Sequence, residues 1–521
     1  MSLNGLLKHH HFKILLAILI FSFLLKLPRI QDELRFKFDA ANATCTTFIS
    51  ASVNNNPTSR LFQPIDFRMY EKAMETGKEV LYIHTPPLAF LGLGSSVIIQ
   101  GQSEADARFF SAIICLLSVF FLYLMSTELA GRNIGLIAAA LYAFNGHLLH
   151  YGRIADPLIT NSALVPLVVW FYLKYLKENK LSYLIYWLLS LYIVMLMDWN
   201  AYGFAAFFGL HQIIFYQKKS IKLVLSLTAL VFFSLLTVLT VFSIASGGFD
   251  HVVADFSDSV GTRTSFPILQ YIKMEIFRQF KIQSFFIILV PIASIIMLFY
   301  LNNKEEKKLW ITVFLLLIAG LIFPTVTMRV AAIHEFWIYW VYPSIYFGAA
   351  LLVTKIFHYN HLGKVTVISL LLLYSFHSFW VYKNRYFKYD NDYILARYLG
   401  QHYQKEHGKG GILITDTQDL IQVMQFYAQA EYIIQVSDLK HLKKVVDIWK
   451  NSPVKLPFQF ITIKAQDLLK ARPTLNKFPT KKLTQEYNTH IDESSEIWSY
   501  LKNNFNQSKK GSFFWFTQFK S

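Results

Sequence analysis

The chain has 521 residues, 54% of them hydrophobic and only 16% charged. A mean hydropathy of +0.36 makes it too apolar for a soluble protein of this length. Its net charge is +17, but the cations stand in scattered twos and threes instead of one stripe, which argues against a nucleic-acid-binding protein. Two cysteines, Cys45 and Cys115, make neither a disulfide framework nor a metal site.

Eleven apolar runs follow in chain order: Phe12–Leu27, Phe109–Leu129, Ile134–His150, Leu158–Leu176, Leu181–Met197, Tyr202–Tyr216, Leu223–Ala245, Phe285–Leu301, Leu309–Thr325, Phe336–Val353 and Val365–Val381. Most approach the ~20 residues that a spanning helix needs. The first run follows basic Lys8 and Lys13 in the manner of a signal peptide, but Leu25-Lys26-Leu27-Pro28 has no small-x-small cleavage site, so it reads as a retained helix. With Met1 inside, the inner connections hold Lys8 and Lys13, then Arg132, then Lys177 and Lys180, then Lys218, Lys219 and Lys222, then Lys304, Lys307 and Lys308, then Lys355 and Lys364. Each obeys the positive-inside rule. These cations orient the helices and meet anionic lipid heads. The opposite side receives Arg153, Asp156, Asp198, Arg329, His334 and Glu335 in short loops, and Asp32, Glu33, His84 and Asp255 in two long ones. That side is the working face.

The first long outer loop runs for about eighty residues, which marks it as functional and not a plain connector. Its apolar stretch from Leu88 to Gln100 is interrupted by glycines at 92 and 94 and followed by one at 101. If it spanned the membrane, every later lysine loop would face outward, so it reads as a helix lying in the outer interface. After Val381 the chain turns polar. Short apolar segments Ile412–Thr415, Tyr432–Val436, Phe458–Ile463 and Phe513–Phe516, with a helical stretch to about Ala428, point to a small α/β domain. It has no G-x-G-x-x-G or G-K-[ST] motif for a nucleotide. The expected fold is therefore a polytopic α-helical membrane protein of about eleven transmembrane helices over residues 1–382, plus a soluble extracytoplasmic α/β domain over 383–521.

Several motifs occur in a fixed order: Asp32-Glu33-Leu34-Arg35-Phe36, Tyr82-Ile83-His84-Thr85-Pro86-Pro87-Leu88, Ser103-Glu104-Ala105-Asp106-Ala107-Arg108-Phe109, Glu128-Leu129-Ala130-Gly131-Arg132, and Tyr151-x-Arg153-x-Ala155-Asp156. On its own the first would read as solvated interfacial charge. Together, over about the first 350 residues, they resemble the membrane glycosyltransferases of the GT-C type that use polyprenyl-phosphate sugars, the group of the lipid A aminoarabinose transferase and the protein O-mannosyltransferases. The resemblance implies that Asp32 is the catalytic base. Many members place lysine or histidine directly before the Pro-Pro pair, whereas here Thr85 takes that position and His84 stands one residue earlier.

Chemistry on an outer face agrees with that implication. Nucleotide sugars are confined to the cytoplasm, so an outward-facing transferase needs a donor already carried across, and a lipid-linked sugar phosphate is one. Transfer needs a general base, suited to Asp32 with Glu33 beside it. It also needs cations for the departing phosphate, for which Arg35, Arg153 and Arg329 are the candidates. Asp156 either orients the acceptor and holds a divalent ion with His84, or caps the helix that begins at Pro157. Asp198-Trp199-Asn200 reads as a simple interfacial turn. His334 precedes Glu335 at the head of the tenth run and is expected to contact phosphate or a sugar hydroxyl. The aromatics after it, Trp337, Tyr339, Trp340 and Tyr342, read as an interfacial belt.

The expected activity is an inverting transfer to a lipid, polysaccharide or protein hydroxyl at the outer face of the cytoplasmic membrane, with no nucleic acid as partner and no cofactor beyond that divalent ion. A transporter or flippase would place polar residues near the midplane in broken helices and related halves, and the spans here are nearly free of acids. A non-catalytic envelope assembly protein is the other alternative. An Asp32→Asn variant separates these, since only an enzyme loses activity with its fold intact.

Overall fold

The computed structural model describes residues 10–28, 30, 85–89, 103–154, 161–216, 220–246, 248–250, 252–253, 267–282, 284–327, 337–386, 400–401, 403–405, 408, 411–415, 421–430, 432–436, 438–451, 458–463, 496–510 and 513–519. The chain divides into two compact units, one of residues 1–32 and 83–388 and one of 33–82 and 389–521.

The first unit is helical: α1 (His10–Lys26), α2 (Glu104–Ala130), α3 (Arg132–Ala143), α4 (Gly146–Tyr151), α5 (Val165–Glu178), α6 (Leu181–Met197), α7 (Ala201–Phe215), α8 (Ser220–Ser246), α9 (Ile268–Ile282), α10 (Phe286–Tyr300), α11 (Lys304–Val326), a 3-10 turn (Trp337–Val341), α12 (Tyr342–Phe357) and α13 (His361–Tyr386). Among the described residues, five helices are long and apolar enough to cross a membrane: Glu104–Ala130, Ile221–Ser246, Lys304–Val326, Tyr339–Phe357 and His361–Asn384. Helices α6, α7 and α10 are shorter apolar ones. A helix suits such segments because it satisfies its own backbone polar groups where water is absent.

Polar side chains punctuate the apolar runs. Ser103 caps α2 by accepting from the Asp106 amide, and Asn303 caps α11 by accepting from the amides of Glu305 and Glu306. Asn179, in the left-handed region at φ 51°, ends α5. The run Ile134–His150 is not one helix. It breaks at Phe144-Asn145, where Asn145 Oδ1 accepts from the Leu148 amide at 3.0 Å and starts α4. Helix α9 lies in a connection that apolar counting leaves empty, because Lys273, Glu275 and Arg278 interrupt its hydrophobic face. Beyond Ala89, the expected interfacial helix to Gln100 lies outside the described residues.

Contacts sort the helix ends of this unit into two groups. At one end Lys177 pairs with Glu128 (2.7 Å), Lys355 with Glu306 (2.5 Å), His11 Nε2 with Asn133 Oδ1 (2.9 Å), and Lys308 donates to the Tyr216 hydroxyl (3.0 Å). At the other, Ser22 donates to the Ala143 carbonyl (3.1 Å), Asn161 to Met197 (2.9 Å), the Leu88 amide to Leu196 (2.8 Å) and Tyr382 to Leu25 (2.7 Å). The first group comprises the ends carrying the lysine loops. Beside the first group, a buried network joins α5, α7 and α11: Gln212 Nε2 donates to the Tyr172 hydroxyl, which meets His211 Nδ1 at 2.8 Å, and His211 Nε2 meets Thr312 at 3.3 Å. Such bonds join helices where apolar burial supplies no drive between them.

The second unit contains a five-stranded sheet, β1 (Ile412–Thr415), β2 (Tyr432–Gln435), β3 (Phe458–Ile463), β4 (Phe505–Lys510) and β5 (Phe513–Phe519), in the order β2-β1-β3-β5-β4. β1 pairs parallel with β2 and β3, while β5 pairs antiparallel with β3 and β4. Helices α14 (Ile421–Ala428), α15 (Leu439–Asn451) and α16 (Glu496–Asn504) accompany it. Ile412 and Ile414 pack with Leu442, Val445 and Val446 of α15 and Trp498 and Leu501 of α16. Leu413 and Thr415, on the opposite face by strand alternation, are buried as well, as expected of a parallel strand covered on both sides.

Candidate functional site

The site is built around α4 and the turn that follows it. Six residues cannot hold a helix in water, so α4 owes its place to packing. A Cβ at Gly146 would stand 2.1 Å from the Ser378 carbonyl oxygen of α13, so only glycine allows that approach. At the far end, a Cβ on Gly152 would meet Cys115 Sγ of α2 at 2.5 Å. This clamp between α2 and α13 fixes the direction in which the chain leaves toward Arg153.

His147, in the middle of α4, ties it to the segment after residue 336. Its Nδ1 meets the Tyr342 hydroxyl at 2.9 Å, its carbonyl accepts from the Tyr339 hydroxyl at 3.3 Å, and its ring stacks on Tyr339 with centroids 5.3 Å apart. Tyr151 packs against both His147 and Tyr339. The belt reading of these aromatics is therefore corrected: Tyr339, Trp340 and Tyr342 are buried, each no more than 1% exposed. Tyr339 and Tyr342 face the α4 segment, where their hydroxyls find partners that lipid could not offer, and Trp340 packs on Phe204 of α7.

Arg153 is 2% exposed, and two further cations of this helical unit are buried, Lys26 at 0% and Arg108 at 1%. Lys26 Nζ donates to Ser22 Oγ at 2.7 Å and lies beside Cys115, the residue that abuts Gly152. Arg108 lies seven residues before Cys115 on α2, hence on the same helix face and about two turns away. Its Nη1 donates to the Ile30 carbonyl at 3.1 Å, two residues before Asp32 in sequence. Buried cations at membrane depth are costly and belong to sites more often than to scaffolding. Sequence reasoning passed over Lys26 and Arg108. Arg108 stood inside a quoted motif, and Lys26 is a lone cation at the end of an apolar run, which was the available signal.

Of the other residues expected at the site, Asp32, Glu33, Arg35, His84, Asp156, Arg329 and His334 lie outside the described residues. The neighbours of several are described. Thr85–Ala89 packs where α6 ends and α8 approaches, with Leu88 against the cluster of Leu196, Val238 and Phe242. Asp198 is buried there, and its Oδ1 accepts from the Asn200 amide and side chain, both at 2.9 Å, which is the geometry of a simple turn. No group of three or more metal-binding side chains occurs among the described residues. Chemically, the arrangement presents cations and aromatic hydroxyls from α1, α2, α4 and the start of α12 around one end of a helical bundle, a setting for an anionic group.

Residues 84–244 match the sequence family described as dolichyl-phosphate-mannose-protein mannosyltransferase. No curated protein matches the chain. In fold, the chain is similar to the oligosaccharyltransferase of Archaeoglobus fulgidus in its apo form, with a TM-score of 0.59 at 11% identity over 88% of this chain and 70% of that one. It is similar to the archaeal oligosaccharyltransferase AglB of the same organism in complex with an inhibitory peptide and a dolichol-phosphate, with a TM-score of 0.56 at 11% identity over 98% and 74%. It is also similar to ArnT from Cupriavidus metallidurans bound to undecaprenyl phosphate, with a TM-score of 0.56 at 10% identity over 88% and 94%. At such identities the structures speak to fold alone. The resemblance drawn from the motifs, to GT-C membrane glycosyltransferases, is borne out.

Proposed function

From the resemblance to the GT-C glycosyltransferases, matched in sequence over residues 84–244, we propose that this chain moves a sugar from a polyprenyl-phosphate donor to a hydroxyl acceptor, with inversion, at the outer face of the cytoplasmic membrane. The Asp32 carboxylate, with Glu33 beside it, takes the proton from the acceptor hydroxyl as that oxygen attacks the anomeric carbon. The bond from that carbon to the phosphate oxygen breaks on the opposite face, and the polyprenyl phosphate leaves as an anion. Arg35, Arg153 and Arg329 stabilise it, and His84, Asp156 and His334 contact phosphate or sugar. His84 and Asp156 are the pair that would hold a divalent ion. In this reading eleven helices span the membrane, and residues 383–521 form an extracytoplasmic α/β domain that serves as a scaffold, a lid or an acceptor-binding module.

The observation that carries the reading is the placement of buried Lys26, Arg108 and Arg153 at the end of the bundle opposite the lysine loops. ArnT bound to undecaprenyl phosphate and AglB in complex with a dolichol-phosphate supply the ligand class. The test offers purified protein a polyprenyl-phosphate sugar and, separately, nucleotide sugars. Consumption of the lipid-linked donor alone supports the proposal, and efficient use of a nucleotide sugar overturns it.

A further inference from the structure

The end of the helical unit that carries the lysine loops holds a groove of about 770 Å³, between the start of α1, the α2–α3 turn, the end of α12 and the first turns of α13. Its floor is apolar, with Ile137, Val353, Phe357 and Leu371 among its lining. Its rim carries His11, Arg132, Asn133 and His358, and no acid lines it among the described residues. The volume falls in the ~300–1,000 Å³ range of ligand sites. On the α13 side the floor runs through Ile368 onto the exposed apolar surface of Leu372 and Phe376, which faces lipid if α13 spans.

The charge pattern selects the occupant. Several cations at this end face carboxylates, Lys174 and Lys177 facing Glu128, Lys180 Glu178 and Lys355 Glu306, while Lys308 donates to the Tyr216 hydroxyl and Lys364 lies over the ring of Phe357, which lines the groove. Arg132 is exposed and has no ion pair among the described residues. A groove that is apolar at depth, open to lipid on one side and cationic without acids at its rim complements a molecule with a hydrocarbon tail and an anionic head.

We propose that this groove binds an anionic membrane phospholipid, one acyl chain lying between α3 and α13 and the phosphate held at Arg132. The site is separate from the Arg153 end and does not rest on the proposed transfer reaction. Basic pockets between helices hold anionic head groups in this way. A neutral head would leave the rim charge unused.

The experiment titrates delipidated full-length protein in neutral detergent with dioleoyl-phosphatidylglycerol or dioleoyl-phosphatidylcholine, reading bound lipid by native mass spectrometry and the thermal midpoint. The wild type should retain phosphatidylglycerol in preference to phosphatidylcholine and gain thermal stability from it. Arg132→Glu should weaken phosphatidylglycerol binding about tenfold, to the level of phosphatidylcholine. Ile368→Trp, which fills the groove from its exposed side, should reduce binding of both, and it decides the matter if Arg132→Glu does not fold. Equal binding of the two lipids, undiminished binding by the folded variants, or a full thermal shift with glycerol phosphate alone would overturn the proposal.

Discussion

Replacing Arg108 by methionine keeps most of the aliphatic stem that fills the protein interior and removes the guanidinium that holds the Ile30 carbonyl. A hydrogen bond from a charged donor to a buried carbonyl is worth ~1.5–3 kcal/mol. If that energy fixes the chain entering Asp32, its loss lowers kcat by roughly 10- to 150-fold, at about 1.4 kcal/mol per tenfold. Donor KM should change little, because a misplaced base weakens the transition state and not the ground-state complex. Initial rates against polyprenyl-phosphate sugar, with the thermal midpoint as a check on folding, measure both. Arg108→Lys, which retains the charge with a shorter reach, should fall between the wild type and Arg108→Met. A folded Arg108→Met with kcat within twofold of wild type, or a loss carried wholly by KM, would refute the positioning role.

Reporter fusions after Lys180, Lys219 and Lys307 should read as cytoplasmic and those after Asp156 and Lys388 as exterior; an interior reading at Lys388 contradicts the span count. Gly146→Ala forces a Cβ against the Ser378 carbonyl and should cost ~1–3 kcal/mol, seen as a lowered thermal midpoint in detergent, while Gly209→Ala, with open space around its Cβ, should not. Hydrogen bonds from Lys174 and then Lys180 lower the Glu178 carboxyl to about 2. A depressed carboxylate contributes its stability above its unfolded value and loses it as pH falls toward the folded one, so the difference in midpoint between wild type and Glu178→Gln should hold from pH 8 to about 5 and shrink only below that. A difference that vanishes by pH 6 would contradict the pairing.

How far the sequence was legible depended on where each residue finds its partner. Leu181–Met197 begins and ends as its apolar run does, because Lys180 and Asp198 bound it with charges that a span excludes. Ile134–His150 misled, since hydropathy does not register a cap, although Asn145-Gly146 is a sequence signal for a break. Tyr339, Trp340 and Tyr342 have the composition of an interfacial belt, and only contacts distant in sequence turn them inward, those of Tyr339 and Tyr342 with His147 and that of Trp340 with Phe204. Arg153 stands in a motif and on the expected outer side, so it could be named from sequence, and the structure shows it buried. Lys26 and Arg108 carried weaker signals, and their burial could not be read, because the groups around them, Cys115 and Ile30, lie far away in sequence. Strands β1 and β2 stand in apolar segments flanked by polar residues, whereas β4, Phe505–Lys510, is too polar to announce itself.

The measurement that bears most directly on the account is transfer from a polyprenyl-phosphate sugar to a hydroxyl acceptor by purified wild type and Asp32→Asn, compared under single-turnover conditions at saturating donor. The account predicts that the wild type forms product with inverted anomeric configuration, while the variant binds donor with similar affinity and forms almost none. Substantial product from a well-folded Asp32→Asn preparation would contradict it.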